Sequence, residues 1–295
     1  MSENCYVCNI PPESVEKLKH DLQEQNFDLS EKSNMFFFAK KVGISIAVYK
    51  SGKMVIQGSD IRPFIEFYLE PEILKNFTFT NPQSSLDKTP RIGVDEAGKG
   101  DYFGPISICG VMIQENQFES LIKLGVKDSK KITDSKIISM SEKIKEICAY
   151  EAIVIFPQKY NLLYEKFKNL NKLLAWAHAK TIELLNQKTG CKIVIVDQFA
   201  TSKAVIENAL GSLCDDLTIN QRHKAEEDLA VAAASIIARA NFLKGLEKLS
   251  NHYEIEFPKG ASDKVKITAK EFISKYGKER LHEVAKLHFK TTQEI

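Results

Sequence analysis

Residues 91–105 read Arg91-Ile92-Gly93-Val94-Asp95-Glu96-Ala97-Gly98-Lys99-Gly100-Asp101-Tyr102-Phe103-Gly104-Pro105. The apolar start of this stretch predicts a strand that ends in two carboxylates, Asp95 and Glu96. Because neighbouring side chains on a strand point to opposite faces, the two carboxylates diverge unless the strand ends there. Gly98 and Gly100 let backbone N–H groups approach an anion closely, and Lys99 adds a cation between them. The stretch indicates either phosphoryl chemistry or an ordinary hairpin with a charged turn.

The quoted stretch begins just after the best linker in the chain, residues 81–90, which are polar and flanked by proline. At 295 residues and 43% hydrophobic composition, the chain is long enough for two domains and too apolar for disorder. We therefore predict a small α+β domain over residues 1–80 and a larger catalytic domain with C-terminal helices over residues 91–295.

Charge and cysteine content restrict the class of protein. The formal net charge is +2, with a balance of −2 over residues 1–85 and +4 over the rest, so any nucleic-acid surface must be a local patch. The 6 cysteines include one C-x-x-C and no second pair that would complete a zinc site. We read them as reduced in a cytoplasmic protein, with no membrane span, no obligate protein partner and a monomeric state.

Further acids follow other core-like segments. The apolar run 192–196 ends in Asp197, and Glu226, Glu227 and Asp228 precede a helix rich in small residues. Sites form at the carboxyl ends of buried strands, whereas acids before a helix can simply complement its dipole. Carboxylates without His or Cys suit Mg²⁺ or Mn²⁺. Two such ions about 4 Å apart can hold the attacking water and the leaving oxygen of a phosphodiester.

Three local predictions bear on the surroundings of these acids. A long helix is expected over residues 160–187, and within it we interpret His178 as a structural histidine. A short strand is expected over residues 215–219. The chain is expected to end with a helix over residues 277–288.

At this point a family resemblance is clear. Residues 93–105 resemble the signature of type 2 ribonucleases H, and the form Gly98-Lys99-Gly100 is similar to ribonuclease HIII. The hairpin-like residues 46–58 resemble the hairpin repeated in the TATA-binding protein fold. Other segments fall in the family's order, namely residues 127–131, 169–171, 196–199, 232–239 and 286–289.

The resemblance implies a fold and an activity. The fold class is α/β (α+β overall), a ribonuclease H-like mixed sheet flanked by helices and preceded by a small TATA-binding-protein-like α+β domain. The activity is metal-dependent endonucleolytic hydrolysis of the RNA strand of RNA–DNA hybrids, which leaves 5′-phosphate and 3′-hydroxyl ends.

The resemblance also implies which acids bind the catalytic metal ions. Asp95, Glu96 and Asp197 carry over as catalytic metal ligands for Mg²⁺ or Mn²⁺, in a two-metal site. The fourth ligand departs from the family pattern, because Glu226 lies one residue closer to Ser235 than the family acid lies to its serine. We choose Glu226, with Asp228 as the alternative and Glu227 also open.

Substrate contacts are expected in two places. In the larger domain the resemblance implies Gly98, Lys99 and Gly100, which would meet the minor groove where 2′-hydroxyls distinguish RNA from DNA, together with Ser129 and Lys130 on phosphates. In the smaller domain the sheet face is expected to bind the hybrid through Lys50, Lys53 and Gln57.

Two other classes of function remain as alternatives. The chain could be a non-catalytic nucleic-acid-binding module whose acids are structural. It could also bind a nucleotide through Gly98-Lys99-Gly100. The second alternative is weak, because the G-x-x-x-x-G-K-[ST] spacing is absent.

Overall fold

The chain forms two compact units, Met1–Asp87 and Lys88–Ile295. The computed structural model describes residues 4–75, 79, 87–126, 132–197, 204–222 and 225–295. The division falls within the predicted linker, residues 81–90, of which residues 81–86 lie outside the described part. The domain bounds therefore stay a prediction.

The first unit is an antiparallel sheet of five strands in the order β1-β5-β4-β3-β2, with helices packed on one face. A π-helical stretch over Ile65–Leu74 continues α2. The elements are β1 (Cys5–Asn9), α1 (Val15–Glu24), β2 (Asp28–Ser30), β3 (Met35–Lys41), β4 (Ile44–Tyr49), β5 (Lys53–Gly58) and α2 (Ile61–Phe64). The β4–β5 hairpin turns at Gly52, whose φ is 83°, so the predicted hairpin is confirmed.

The other face of this sheet carries exposed polar side chains. On β5, Met54 and Ile56 are buried against the helices, whereas Lys53 and Gln57 alternate with them and are exposed. Lys50 is exposed in the β4–β5 turn. The three proposed substrate contacts of this unit are thus available to solvent.

The second unit has a mixed five-stranded sheet in the order β10-β9-β6-β7-β8. The strands are β6 (Arg91–Ala97), β7 (Ile106–Ile113), β8 (Ala149–Ile155), β9 (Ile193–Asp197) and β10 (Thr218–Arg222). The central strand β6 pairs with β7 in antiparallel register and with β9 in parallel register. Consequently β6 and β9 end at the same edge of the sheet.

Helices cover both faces of this sheet. They are α3 (Phe118–Leu124), α4 (Asp134–Ile147), α5 (Pro157–Phe167), α6 (Leu170–Thr189), α7 (Ala204–Leu210), α8 (Leu229–Tyr253) and α9 (Asp263–Tyr276). The face with α5, α6 and α7 buries Ile92 and Val94 of β6, and the face with α3, α4 and α8 buries Cys109 and Val111 of β7. A mixed sheet flanked by helices after a small α+β unit confirms the predicted fold class.

Helix α8 is the central helix of this unit. It is long and apolar enough to cross a membrane by length and composition, but 72% of its most apolar window is buried inside the unit. Its small residues, such as Ala230 and Ala234, are buried against the sheet. These properties are those of a core helix.

Three local predictions were wrong. The expected helix over residues 160–187 is two helices, because Lys168 adopts a φ of 50° and the Asn169 side chain caps α6 by accepting the Lys172 N–H at 3.2 Å. The expected strand over 215–219 is β10 (Thr218–Arg222), because Gly211–Asp216 form a 3₁₀ helix.

The third error is the expected C-terminal helix over residues 277–288. Only a short 3₁₀ helix forms there, over Lys278–Glu283. The chain then leaves the helical path because its backbone bonds to another segment. The Gly104 N–H donates to the Val284 carbonyl at 3.0 Å, and the Lys286 N–H donates to the Tyr102 carbonyl at 2.9 Å.

A missing side chain lets α8 approach β6. A Cβ at Gly93 would lie 2.2 Å from both the carbonyl carbon of Ala230 and the nitrogen of Val231. We expect Gly93→Ala to lower the free energy of unfolding by about 3 kcal/mol, because backbone atoms on both sides would have to move. Chemical denaturation measures this. Gly100→Ala is the control, since its Cβ meets nothing within 4 Å, and equal stability of the two variants would contradict the account.

Candidate active site

Three predicted acids meet at the shared edge of β6 and β9. Asp95 and Glu96 are near the end of β6, and Asp197 is the last residue of β9. The parallel pairing of Val94 with Val196 brings Asp95 and Asp197 next to each other. As the strand alternation predicts, Asp95 and Glu96 diverge: Asp95 contacts Ser235 of α8, and Glu96 contacts His178 of α6.

Asp95 is held by two hydrogen bonds. Its Oδ1 accepts the Glu96 backbone N–H at 2.7 Å, and its carboxyl is also hydrogen-bonded to the Ser235 side chain. Burial, followed by the charge of Glu96, raises the pKa of Asp95 well above its usual value despite these bonds. A carboxyl in this environment would be stabilised in its ionised form by a nearby cation.

Glu96 has the opposite electrostatic environment. His178 Nε2 lies 3.1 Å from Glu96 Oε2, and Lys99 Nζ lies 3.6 Å from Oε1. Burial acts to raise the pKa of Glu96, but His178 and Lys99 together outweigh it, and the pKa lies below its usual value. The side chain of His178 is fully buried.

His178 is therefore a contact of a predicted catalytic acid, a role that the sequence interpretation missed. The sequence did contain a signal, since His178 is a polar residue on an otherwise apolar helix face that includes Leu174 and Leu185. Arg239 was missed in the same way. It is a charged residue in the small-residue helix α8 and it lines the cleft.

The predicted fourth acid, Glu226, lies in the turn between β10 and α8. Asp197 Oδ1 accepts the Ala225 N–H at 3.0 Å, which ties β9 to the 3₁₀ turn Ala225–Glu227. Glu226 is half-buried, and its Oε2 is buried without a hydrogen-bond partner within the described part of the chain. A water or an ion can satisfy such an oxygen.

The two alternatives to Glu226 differ from it in their surroundings. Asp228 is 7% exposed and caps α8 by accepting the Ala230 N–H at 2.9 Å, while its Oδ2 accepts from Arg91 Nε at 2.8 Å. Both of its oxygens are thus engaged by the protein. Glu227 is exposed. Of the three acids, Glu226 has the oxygen best suited to a cation.

A cleft of about 510 Å³ opens at this edge of the sheet. It brings together three predicted acids and the predicted substrate loop, but Glu226 is not in its lining. The lining is Asp95, Glu96, Ala97, Gly98, Lys99, Gly100, Ile132, Asp134, Asp197, Ser235 and Arg239. Four acidic and two basic side chains are in this lining, an excess of acidic groups that suits a cation.

The loop after β6 connects two antiparallel strands and does not lead into a helix. This arrangement differs from a nucleotide-binding phosphate loop, which opens a helix. Gly98 has a φ of 89°, and a Cβ there would lie 2.3 Å from the Pro105 carbonyl oxygen. The fold therefore requires glycine at position 98, whereas a Cβ at position 100 would meet no other atom within 4 Å.

The remaining predicted substrate contacts are not part of this cleft as described. Ser129 and Lys130 lie outside the described residues. Lys50, Lys53 and Gln57 belong to the first unit. These positions stay predictions.

At the cleft rim, Asp134 holds two cations. It pairs with Arg239 at 3.5 Å and also with Lys259. Burial opposes ionisation, but the hydrogen bond and charge of Lys259 and the charge of Arg239 lower the pKa of Asp134. Asp134 thereby ties Arg239 to the cleft lining.

The donor set fits a hard divalent cation. All the candidate ligands are carboxylates, with one buried oxygen of Glu226 unsatisfied among the described residues. The acids are not drawn into a tight cluster, since Asp95, Glu96 and Asp197 are each tied to protein partners. Among the described residues, the trio with ligand atoms within 4.8 Å of one another is His20, Asp21 and Glu24, on the surface of α1.

Comparison with known families agrees with the class that this sheet and cleft define. The family model Ribonuclease HII matches residues 92–292. A second model, Domain of unknown function (DUF3378), matches residues 5–81. The acid-bearing unit is thus a ribonuclease of the type 2 ribonuclease H class.

Full-length relatives narrow this class. Ribonuclease HIII of Protochlamydia amoebophila is 50% identical over 290 residues, which cover 98% of this chain and 96% of the relative. Ribonuclease HIII of Chlamydia trachomatis serovar D is 44% identical over 292 residues, with coverage of 98% and 97%. The chain belongs to the ribonuclease HIII family.

Solved structures of ribonucleases HIII agree with this family membership. The crystal structure of Bst-RNase HIII in complex with Mn²⁺ has a TM-score of 0.68 and 27% identity, covering 98% of this chain and 97% of that one. That of Aquifex aeolicus RNase H3 has a TM-score of 0.58 and 28% identity, with coverage of 96% and 99%. Both cover the two units of this chain.

Proposed function

We propose that this chain hydrolyses the RNA strand of RNA–DNA hybrids as an endonuclease, with Mg²⁺ or Mn²⁺ as cofactor. The observation that carries the proposal is the shared cleft, in which Asp95, Glu96 and Asp197 adjoin a glycine-rich loop. Membership of the ribonuclease HIII family supports the same substrate. The alternative, a non-catalytic binding module, would not explain why so many acids line a cleft that binds nucleic acid.

The acids would hold the metal. Asp95, Glu96, Asp197 and Glu226 are the proposed ligands of a two-metal site, and when bound the ions stabilise negative charge on the phosphate oxygens. The protein orients these ligands in advance: Ser235 holds Asp95, His178 holds Glu96, and the Ala225 N–H holds Asp197. Such preorganisation reduces the rearrangement needed in the reaction.

The loop would select RNA. Backbone N–H groups of Gly98 to Gly100 are proposed to meet the 2′-hydroxyls beside the scissile phosphate. Lys99, which is about one-third exposed, is proposed to contact a phosphate. Ser129, Lys130 and the newly recognised Arg239 would extend these contacts along the strand.

The first unit would add affinity. Lys53 and Gln57 lie on the sheet face opposite the helices, and Lys50 lies in the β4–β5 turn. This face is proposed to lie on the hybrid. The low net charge of +2 supports the need for such an additional surface, because the chain has no global basic field.

Gly100→Ala separates folding from substrate recognition. Because a Cβ there meets nothing within 4 Å, stability should change by less than about 0.5 kcal/mol. The methyl group would nevertheless stand between the loop backbone and the substrate, so KM for the hybrid should rise about tenfold, or ~1.4 kcal/mol. Steady-state kinetics with a labelled hybrid measure this. An unaltered KM would remove the loop from substrate contact.

Removal of residues 1–85 should weaken binding more than it slows the reaction of bound substrate. We expect KM to rise about tenfold, equivalent to ~1.4 kcal/mol, with a smaller change in kcat. The second unit retains its own buried core in this variant. A truncated enzyme with the KM of the full chain would contradict a substrate-binding role for the first unit.

A panel of substrates tests the function itself. One labelled RNA strand is presented single-stranded, in duplex with RNA and in duplex with DNA, with Mg²⁺, Mn²⁺ or EDTA. We expect cleavage of the hybrid alone, and only with a metal. Tight binding of the hybrid without cleavage would establish the binding-module alternative. The predicted cytoplasmic location, monomeric state and lack of an obligate partner stay predictions.

A further inference from the structure

A buried lysine lies next to the proposed substrate loop. Lys286 is 0% exposed, and its Nζ donates to the carbonyl oxygens of Asp101 at 2.7 Å, Gly104 at 2.8 Å and Phe103 at 3.4 Å. An ammonium group has three N–H donors. All three can therefore be used on one short segment, residues 101–104, that directly follows the Gly98-Lys99-Gly100 turn.

The backbone of the same region is also paired. Phe103 forms an antiparallel bridge with Ala285, with one hydrogen bond on each side from Gly104 to Val284 and from Lys286 to Tyr102. These contacts attach the C-terminal segment, residues 281–289, to the exit of the loop. They are backbone bonds, so they do not depend on the Lys286 side chain.

A second contact closes the loop from its other side. The Asp101 N–H donates to the Gly98 carbonyl at 3.3 Å, and Asp101 Oδ1 accepts the Gly260 N–H at 2.7 Å. Asp101 is thus the residue that ends the 98–100 turn and begins the segment bound by Lys286. Fixing the Asp101 carbonyl with Lys286 limits the directions in which the 98–100 backbone can point.

The ammonium group is an expensive way to fill this space. Within the described part of the chain Lys286 forms no salt bridge, and burial lowers its pKa to about 7 while Asp101 opposes the shift. An apolar side chain of similar length would avoid this desolvation. What the lysine adds is direction, because its donors fix three carbonyls of one loop.

We propose that Lys286 is a positioning residue that holds the 98–100 backbone in the orientation that distinguishes RNA from DNA. This inference rests on the proposed function, since it concerns how the 98–100 loop of the same site selects its substrate. Lys286 is hidden beneath residues 101–104 and acts through them. Asn161 of α5 supports the arrangement from behind, donating to the carbonyl of Ala285 at 2.9 Å and accepting the Leu287 N–H at 3.0 Å.

The test measures selectivity and not overall activity. Kd values for an RNA–DNA hybrid and for duplex DNA of the same sequence are determined with Ca²⁺, for the wild type, Lys286→Met and Val284→Ala. Val284 is fully buried in the same segment, but its apolar side chain has no donor for the loop carbonyls. We expect the selectivity ratio to fall about tenfold in Lys286→Met, as for a loop displaced by a fraction of an ångström, and to stay unchanged in Val284→Ala.

Other outcomes overturn the proposal. An unchanged ratio in Lys286→Met would show that the side chain does not affect recognition. An equal fall in Val284→Ala would assign the effect to stability of the segment. If Lys286→Met does not fold, Lys286→Gln, which keeps one amide donor group, replaces it, and failure of both to fold would assign Lys286 to stability alone. Failure of the proposed function is distinct, because the wild type would then not cleave hybrids with Mg²⁺ or Mn²⁺.

Discussion

Asp197→Asn should lower kcat for hybrid cleavage about a thousandfold, or ~4 kcal/mol, while the protein remains folded. The amide oxygen can still accept the Ala225 N–H that Asp197 Oδ1 accepts at 3.0 Å, so the β9 end should keep its geometry. What is lost is the negative charge that a divalent ion requires. Single-turnover cleavage of a labelled hybrid measures the effect.

Asp215→Asn is the matched control for this variant. This substitution removes the same charge, but Asp215 is exposed on the 3₁₀ helix Gly211–Asp216 and is not in the cleft lining. It should cleave at the wild-type rate. If Asp197→Asn also cleaved at that rate, Asp197 would be a structural acid and the proposed metal site would be wrong.

The second large effect concerns the fourth acid. Glu226→Gln should lower kcat about a hundredfold, or ~3 kcal/mol, with little change in stability, because the amide is of the same size and Glu226 is only half-buried. Asp228→Asn should have the opposite pattern, with little change in kcat and a large loss of stability. It leaves Arg91 buried without its ion pair, which lowers the free energy of unfolding by about 3–5 kcal/mol.

The two variants are compared by kcat at a temperature where both are folded and by chemical denaturation. A stable, inactive Asp228→Asn beside an active Glu226→Gln would exchange the assigned roles. Loss of stability without loss of kcat in both variants would leave the site with three acids.

Much of this architecture can be predicted from local sequence. Strands β6 and β9 are continuous apolar runs that end in acids, so both their burial and the place of Asp95 and Asp197 follow from the pattern. The N-terminal hairpin is equally local, since Gly52 supplies the positive φ that its turn requires. These features depend on residues close together in the chain.

The errors arose where distant segments decide the local structure. The break between α5 and α6 depends on Lys168 adopting a φ of 50°, which its residue type does not indicate. Residues 284–286 are not helical because they pair with residues 102–104, which lie 180 to 184 positions earlier in the chain. No periodicity within the segment reveals such a partner.

The site shows the same division between local and distant information. Sequence reasoning selected Asp95, Glu96 and Asp197, but it interpreted His178 as structural, because the 82-residue separation from Glu96 conceals their contact. It chose Glu226 as the fourth acid, with Asp228 as the alternative and Glu227 also open. The buried pair that gives Asp228 a partner in Arg91 spans 137 positions, so local sequence does not reveal it.

The chemistry of the cleft is tested most directly by the ends of the products. RNA strands of a hybrid cleaved by the wild type with Mg²⁺ or Mn²⁺ are analysed by mass spectrometry. Carboxylates that serve a metal-dependent hydrolysis by water predict 5′-phosphate and 3′-hydroxyl ends. Fragments ending in a 2′,3′-cyclic phosphate would instead identify the neighbouring 2′-hydroxyl as the nucleophile, and would contradict the role assigned to the four acids.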